Sequence, residues 1–306
     1  MNPKIKVVGV GGSGSNTVSR IAKFDVQGVE LVAVNTDAQA LHICKVQHKI
    51  LIGKNVTKGL GAGMDIAQGK AAAKENEKEL TAMLVGSDMV FITCGFGGGT
   101  GSGAGPVIAG IAHTMGILTV AVITTPFSFE GQQRKAITQK AIESLKGKVD
   151  CLLVISNDNL LKIIDEKTTV SNAFQICDDV VKQAVQGITD LILAPGIIHI
   201  DFSSVISIMK NSGRALFGTG KASGQDRAVQ AATQAINSPL LDFSIKGSKG
   251  ILFNASGSDV TLQEIQTAAK TITQHVDPKA QIIFGAVKDA SLKKGEMKIT
   301  VIATKF

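Results

Sequence analysis

Residues 95–106 read GFGGGTGSGAGP, seven glycines in twelve positions. The stretch follows SDMVFITC (87–94), which has the character of a buried strand, and runs into VIAGIAHTMG (107–116), which has that of a helix. Glycine at this density costs conformational entropy that a packed core alone does not call for. We therefore expect a ligand to repay it. Backbone N–H groups at the opening of a helix, aided by the positive end of its dipole, form a cradle for an anion. Thr100 and Ser102 add hydroxyls that can donate to a phosphate or reach a magnesium ion. The stretch lacks the GK[ST] ending of the P-loop. A second glycine loop, GVGGSGSN (9–16), has Gly9, Gly11 and Gly14 in the GxGxxG spacing. Alone, it is equally well a tight turn with close helix–sheet packing. A dinucleotide-binding reading wants an acidic residue about 20 positions on, at the end of the second strand. Asn35 ends that strand instead, with Asp37 two residues beyond. Two strand–glycine–helix units on one sheet would meet at its C-terminal edge, where ligands bind, and two cradles imply an extended polyphosphate.

The elements that must position these loops follow from the apolar pattern. Short, nearly continuous apolar runs at 4–10, 30–35, 48–53, 88–94, 117–123 and 150–156 predict strands of a parallel sheet covered on both faces. Helical patterns lie between them at 66–84, 102–114 and 131–146. This is a doubly wound parallel-sheet α/β domain, assigned to residues 1–170. A long helix with a sustained 3.6-residue period is expected over 171–193, stopped by Ala-Pro-Gly at 194–196, with residues 171–194 as the central helix. The remainder, 195–306, reads as a smaller α+β domain. Its helices are expected at 203–210, 223–236 and 261–275, and its strands at 212–222, 250–256, 281–287 and 297–304.

Composition narrows the function. Hydrophobic residues make up 44% and charged residues 19%, as in ordinary globular proteins. Aromatics are only 4%, without Trp or Tyr, which argues against stacking platforms for single-stranded nucleic acid. The net charge of +7 fits a polyanionic ligand, but no long basic run occurs, so no nucleic acid partner is expected. Four cysteines without CxxC or metal-ligand spacing read as reduced core thiols, so no metal site is expected in the protein itself. With no signal peptide and no apolar run long enough to span a bilayer, a cytoplasmic protein without membrane insertion is expected.

The glycine stretch brings a resemblance with it. GGGTGSG (97–103) is similar to the signature of the tubulin/FtsZ family of GTPases, nearest its bacterial cell-division branch. IKVVGVGG, AVNTDAQAL, TKGLGAG, DMVFIT, GILTVAVIT, PFSFEG, DDVVKQAVQGI, ASGQDRA and NSPLL resemble family segments in family order. The resemblance implies a GTP-binding cytoskeletal protein that polymerises head-to-tail with itself at the division site. Hydrolysis would occur between subunits, with GTP/GDP and Mg2+ as ligands. It further implies that Gly12, Ser13, Gly14 and Asn16, with Gly97, Gly98, Gly99, Thr100 and Gly101, hold the α- and β-phosphates. Gly63 would approach the γ-phosphate, Glu130 and Arg134 would hold the ribose side, and Asn157 and Asp179 would read the guanine. A carboxylate can accept from both N1–H and the 2-amino group of guanine, and adenine offers neither donor.

Two segments depart from the family pattern. The loop that supplies carboxylates to the next subunit has the pattern N-x-D-x-x-D, and here it reads HIDFSSV (199–205). Asp201 matches, His199 stands for Asn and Ser204 for the second Asp. Serine cannot accept a proton at neutral pH, so the lost carboxylate is worth on the order of 10²–10⁴ in rate. His199 reads equally as a group orienting water and as a tolerated polar residue. After GLGAG, Met64-Asp65-Ile66 replaces Ala-Asn-Pro, and a carboxylate beside a triphosphate repels it unless magnesium intervenes. Binding and assembly are therefore expected to survive better than turnover. The flexible linker and C-terminal peptide usual in the family do not follow Phe306, so adaptor binding through such a peptide is not expected. Two other readings stand beside this one: a specialised family member using GTP as a structural ligand, and an NAD-dependent oxidoreductase built on GxGxxG.

Overall fold

The computed structural model describes residues 3–24, 28–161, 164–165, 167–193, 196–198, 200–238, 244–289 and 291–306. The chain divides into two compact units, 1–186 and 187–306. The division falls inside one continuous helix, so the expected central helix contributes to both units.

The first unit alternates strand and helix: β1 (Ile5–Val10), α1 (Gly11–Ile21), β2 (Val29–Asn35), α2 (Ala38–Ile43), β3 (His48–Leu51), α3 (Lys54–Thr57), α4 (Ile66–Glu75), α5 (Glu77–Leu84), β4 (Met89–Gly95), α6 (Gly99–Thr114), β5 (Leu118–Thr125), α7 (Gln132–Leu145), β6 (Cys151–Ser156), α8 (Asn157–Leu160) and α9 (Val170–Leu193). Its strands lie in the order β3-β2-β1-β4-β5-β6, every neighbouring pair parallel. The order reverses between β1 and β4, which pair directly, so the two glycine segments that follow them lie side by side at the switch point. Helices cover both faces, which is why β4 and β5 are buried almost throughout and read as unbroken apolar runs. Val8, Val34, Ile92 and Ile123 from the strands pack with Ile108 and Leu145 from the helices in one core.

The second unit comprises β7 (Gly196–Ile198), α10 (Phe202–Met209), β8 (Gly213–Ser223), α11 (Arg227–Ile236), β9 (Gly250–Gly257), α12 (Leu262–Thr273), β10 (Gln281–Lys288) and β11 (Glu296–Thr304). Its mixed sheet has the order β8-β11-β9-β10-β7, with β9 and β10 parallel and the other pairs antiparallel. Ala231, Ala235, Ile265 and Ala268 of α11 and α12 pack on Ile251, Phe253, Ile299 and Val301.

Three expected elements change. The helix expected over 66–84 is two helices broken at Asn76, whose side-chain oxygen accepts from Gly53 N (2.9 Å) while its amide donates to Glu79 (2.9 Å). The helix expected from 102 starts at Gly99, so most of the glycine signature is helix rather than loop. The helix expected from 223 starts at Arg227, because β8 runs on to Ser223. The Ala-Pro pair expected to stop α9 lies outside the described residues.

Candidate functional site

The C-terminal edge of the first unit's sheet opens into a cleft of about 510 Å³ at the β1–β4 switch point. The first turns of α1 and α6 form its floor through Gly12, Ser13 and Asn16 on one side and Gly98, Gly99, Thr100 and Gly101 on the other. Neither helix has a side-chain cap, as is also true of α3, α5, α7, α8 and α11, whereas Asp37, Asp65, Asp201 and Thr261 cap α2, α4, α10 and α12; α1 and α6 are distinguished by opening side by side onto the cleft. The N–H groups opening α1 and α6 thus lack the acceptor that a capping side chain would supply, an arrangement suited to an anion.

The glycines divide into two kinds. A Cβ built on Gly12, Gly63 or Gly98 would meet no protein atom within 4 Å, so the space beside them is left for something else. A Cβ on Gly69 would lie 2.2 Å from Gly99 O, one on Gly103 2.4 Å from Ile66 O, and one on Gly101 2.7 Å from Gly95 O. These glycines let α4 and α6 and the β4–α6 turn approach backbone to backbone. The expectation that no packed core calls for so much glycine is therefore corrected: part of the signature is packing glycine. Gly14 and Gly97 belong there too. Neither lines the cleft; a Cβ on Gly14 would press on Thr93 O at 2.5 Å, and Gly97 has φ +102° beside Arg134 and Pro126. Ser102 is fully buried, its Oγ accepts from Gly97 N (3.0 Å), and it is not among the residues lining the cleft. Thr100 does line the cleft, with its hydroxyl bonded to Thr36 Oγ1 (2.6 Å).

Around the walls, Gly63 closes one side with Gly61 and Ala62. Glu130 accepts from Phe127 N (2.9 Å) and pairs with Arg134 (3.3 Å), and both residues line the cleft. Asn157 is buried with Oδ1 unpartnered, and Asn35 is buried with Nδ2 unpartnered. Both line the cleft, and buried polar atoms without partners in such a place fit a polar ligand.

Asp179 is not among the cleft residues; Asp178 is, with Phe174 and Cys177. Positions 174, 177 and 178 share one face of α9, and 179 is turned about 100° away. The Asp178 side chain, 11% exposed, accepts from Thr17 Oγ1 (3.1 Å) and pairs with Arg20 Nε (2.9 Å). Burial pushes its pKa above the usual carboxylate value, against the pull of Arg20 and Thr17. Burial likewise holds the Cys177 thiol neutral, with its pKa pushed up to about 12. The four cysteines are free and buried.

Asp65 also departs from expectation. Its carboxylate caps α4, accepting from Ala67 N (2.7 Å) and Gln68 N (3.4 Å), and does not line the cleft. In the second unit, Asp201 caps α10 by accepting from Ser204 N (2.6 Å), which brings those two expected residues together. His199 lies outside the described residues. No His/Cys/Asp/Glu cluster among the described residues could hold a metal, and no described helix is long and apolar enough to cross a membrane.

Asn35, Asp37, Thr124, Thr125, Pro126, Phe174 and Cys177 also line the cleft without having been assigned to it. Asn35 and Asp37 were legible as the polar end of the second strand. Phe174 and Cys177 were legible only as apolar positions of α9.

Known proteins match at this point. The family "Tubulin/FtsZ family, GTPase domain" matches residues 4–165, and "FtsZ family, C-terminal domain" matches residues 213–306. The chain is 48% identical over 301 residues to "Cell division protein FtsZ 1" of Pyrococcus horikoshii, covering 98% of this chain and 80% of that protein. It is 47% identical, with the same coverage, to the protein of that name from Thermococcus kodakarensis. A solved "FtsZ dimer, empty" from M. jannaschii superposes with a TM-score of 0.94 at 43% identity, over 99% of this chain and 88% of that one. A GTPγS-bound protofilament structure of CetZ2 from Haloferax volcanii, at 22% identity, shares the fold with a TM-score of 0.85 over 98% and 92% of the two chains. These relatives are archaeal, so the bacterial affinity that the resemblance suggested finds no support. The chain belongs to the tubulin/FtsZ family of GTPases.

Proposed function

We propose that the cleft binds GTP and GDP and that the chain assembles head-to-tail into filaments serving cell division at the division site in the cytoplasm. The carrying observation is the pair of helix N-termini without side-chain caps, converging at the β1–β4 switch point on space that Gly12, Gly63 and Gly98 leave open. Gly12, Ser13, Asn16, Gly98, Gly99, Thr100 and Gly101 would hold the α- and β-phosphates, and Gly63 would approach the γ-phosphate. Glu130 and Arg134 would hold the ribose side. Asn157 and Asp178, in place of Asp179, would read the guanine. Magnesium would offset phosphate charge, with Thr100 the hydroxyl placed to reach it. Leu60, 84% exposed, and Phe129, 70% exposed, adjoin cleft residues Gly61 and Glu130 and offer apolar surface for a second copy.

Hydrolysis would draw on the N-terminal turn of α10 in the next subunit, where Asp201 is the matched carboxylate and Ser204 replaces the second. His199, two residues before Asp201 in the sequence, would orient the attacking water. Phosphoryl transfer to water rests on positioning and electrostatics, so turnover is slow here while binding persists. Ser204 also favours a second reading, in which GTP chiefly stabilises the assembled form. Nucleotide affinity, GTP turnover and sedimentation with magnesium, measured on one sample, test both. Equal affinity for ATP and GTP would refute the guanine site, and a protein that stays monomeric with GTP would refute assembly. Turnover at about one per second or faster would refute the attenuation.

A further inference from the structure

Asp178 is held from outside the cleft by two side chains of a different element. Thr17 and Arg20 lie one turn apart on α1, and each takes one carboxylate oxygen: Thr17 Oγ1 donates to Oδ1 (3.1 Å) and Arg20 Nε to Oδ2 (2.9 Å). Thr17 is fully buried, with Oγ1 also within 3.1 Å of Ser13 O, and the Arg20 side chain is 29% exposed. Each carboxylate oxygen can accept twice, so this grip leaves an acceptor on both oxygens for a ligand.

We infer that Arg20 and Thr17 are specificity-determining positioning residues, which hold the Asp178 carboxylate ionised and oriented so that it selects guanine. The inference rests on the cleft being a guanine-nucleotide site. A carboxyl this buried tends to keep its proton, and a protonated carboxyl presents a donor where guanine needs two acceptors. Asp179 adds like charge from the same helix, and Cys177, neutral, adds none. Glu130 lines the same cleft and acts on Cys177. Arg20 is the cation whose charge acts on Asp178, and it is therefore what keeps the acceptor pair available as pH falls.

Guanine selection is full above the Asp178 pKa and falls tenfold per pH unit below it. Removing the Arg20 charge raises that pKa and moves the fall to higher pH. The readout is the affinity ratio of GDP to ADP, measured by calorimetry from pH 5 to 8.5 below the assembly concentration. The two ligands share phosphates and ribose, so the ratio isolates the base. Arg20→Gln is expected to displace the fall upwards by about one pH unit, a tenfold loss of selectivity at a given acidic pH. Arg20→Lys keeps the charge and should restore the profile, and Thr17→Val should displace it less than Arg20→Gln.

Superimposable profiles for Arg20→Gln and the unmodified protein would overturn the inference. So would an equal loss of GDP and ADP affinity at every pH, which marks a purely structural role. If Arg20→Gln does not fold, a Thr17→Val profile identical to that of the unmodified protein overturns it instead. Equal binding of GDP and ADP by the unmodified protein at all pH values is a different failure, that of the guanine site itself.

Discussion

Asp178 and Asp179 are adjacent in sequence, and only one faces the cleft. Asp178→Ala should abolish the preference for GTP over ATP, while Asp179→Ala should leave it within about threefold; competition binding with the two nucleotides checks both. The resemblance named Asp179, although the 3.6-residue period of α9 sets position 178 at the edge of the apolar stripe and position 179 nearly opposite it. Gly12 supplies a second residue-scale test. It sits exposed in the first turn of α1 with open space where a Cβ would stand. Gly12→Ala should raise stability by about 0.5–1 kcal/mol, since alanine loses less entropy in a helix. The same methyl would enter the cleft, so GDP affinity should fall at least tenfold. Thermal melting and calorimetry on one preparation should therefore move in opposite directions, a split that no packing glycine can produce.

Helix α4 lies against α6 through glycine on both sides, and this contact fixes where α6 begins. Gly69→Ala or Gly103→Ala would force a methyl into backbone atoms, an overpacking worth about 1–3 kcal/mol or more. Melting temperature and nucleotide affinity should both fall, since the displaced first turn of α6 is also part of the cleft floor. In the second unit, the buried Arg227 ties α11 to the start of α12. It bonds Glu264 through Nε and Nη2 (2.6 and 3.0 Å) and Asp259 through Nη1 (2.6 Å). The Arg227 hydrogen bonds hold the Glu264 pKa down at about 2. A carboxylate with a depressed pKa stabilises the fold above its unfolded value and loses that contribution as pH falls towards the folded one. Arg227→Ala should cost roughly 2–3 kcal/mol at neutral pH, the scale of lost hydrogen bonds to charged groups. The gap to the unmodified protein should narrow below about pH 4.5, and denaturant melts at pH 7 and 3 measure it.

Head-to-tail assembly is a heterologous contact, in which one surface meets a different one and the chain stays open-ended. At this scale Ser204 and Asp201 can be separated. Ser204 is the third residue of α10, where an added carboxylate also favours the helix dipole. Ser204→Asp should therefore keep the fold and raise GTP turnover on the order of 10²-fold or more. The gain should appear only above the assembly concentration, because the group would act on the neighbouring subunit's nucleotide. Asp201→Asn keeps an N-cap acceptor, so stability should hold within about 0.5 kcal/mol while residual turnover disappears. Phosphate release across a concentration series checks both.

By itself the amino-acid sequence determined the alternation of strand and helix, the parallel sheet and the two glycine segments, because burial on both faces leaves unbroken apolar runs and tight strand–helix turns need glycine. It also determined the family, through the order of its motifs. Tertiary structure alone decided which glycines face open space and which carry helix packing, since both look the same until another backbone stands beside them. It alone spent Asp65 on a helix cap and Ser102 on Gly97 N, both hydrogen bonds to nearby backbone that residue type does not reveal. And it alone opened the face of α9 that carries Phe174, Cys177 and Asp178 onto the cleft, because which neighbours meet a helix face depends on packing, while a rotation of about 100° leaves Asp179 outside.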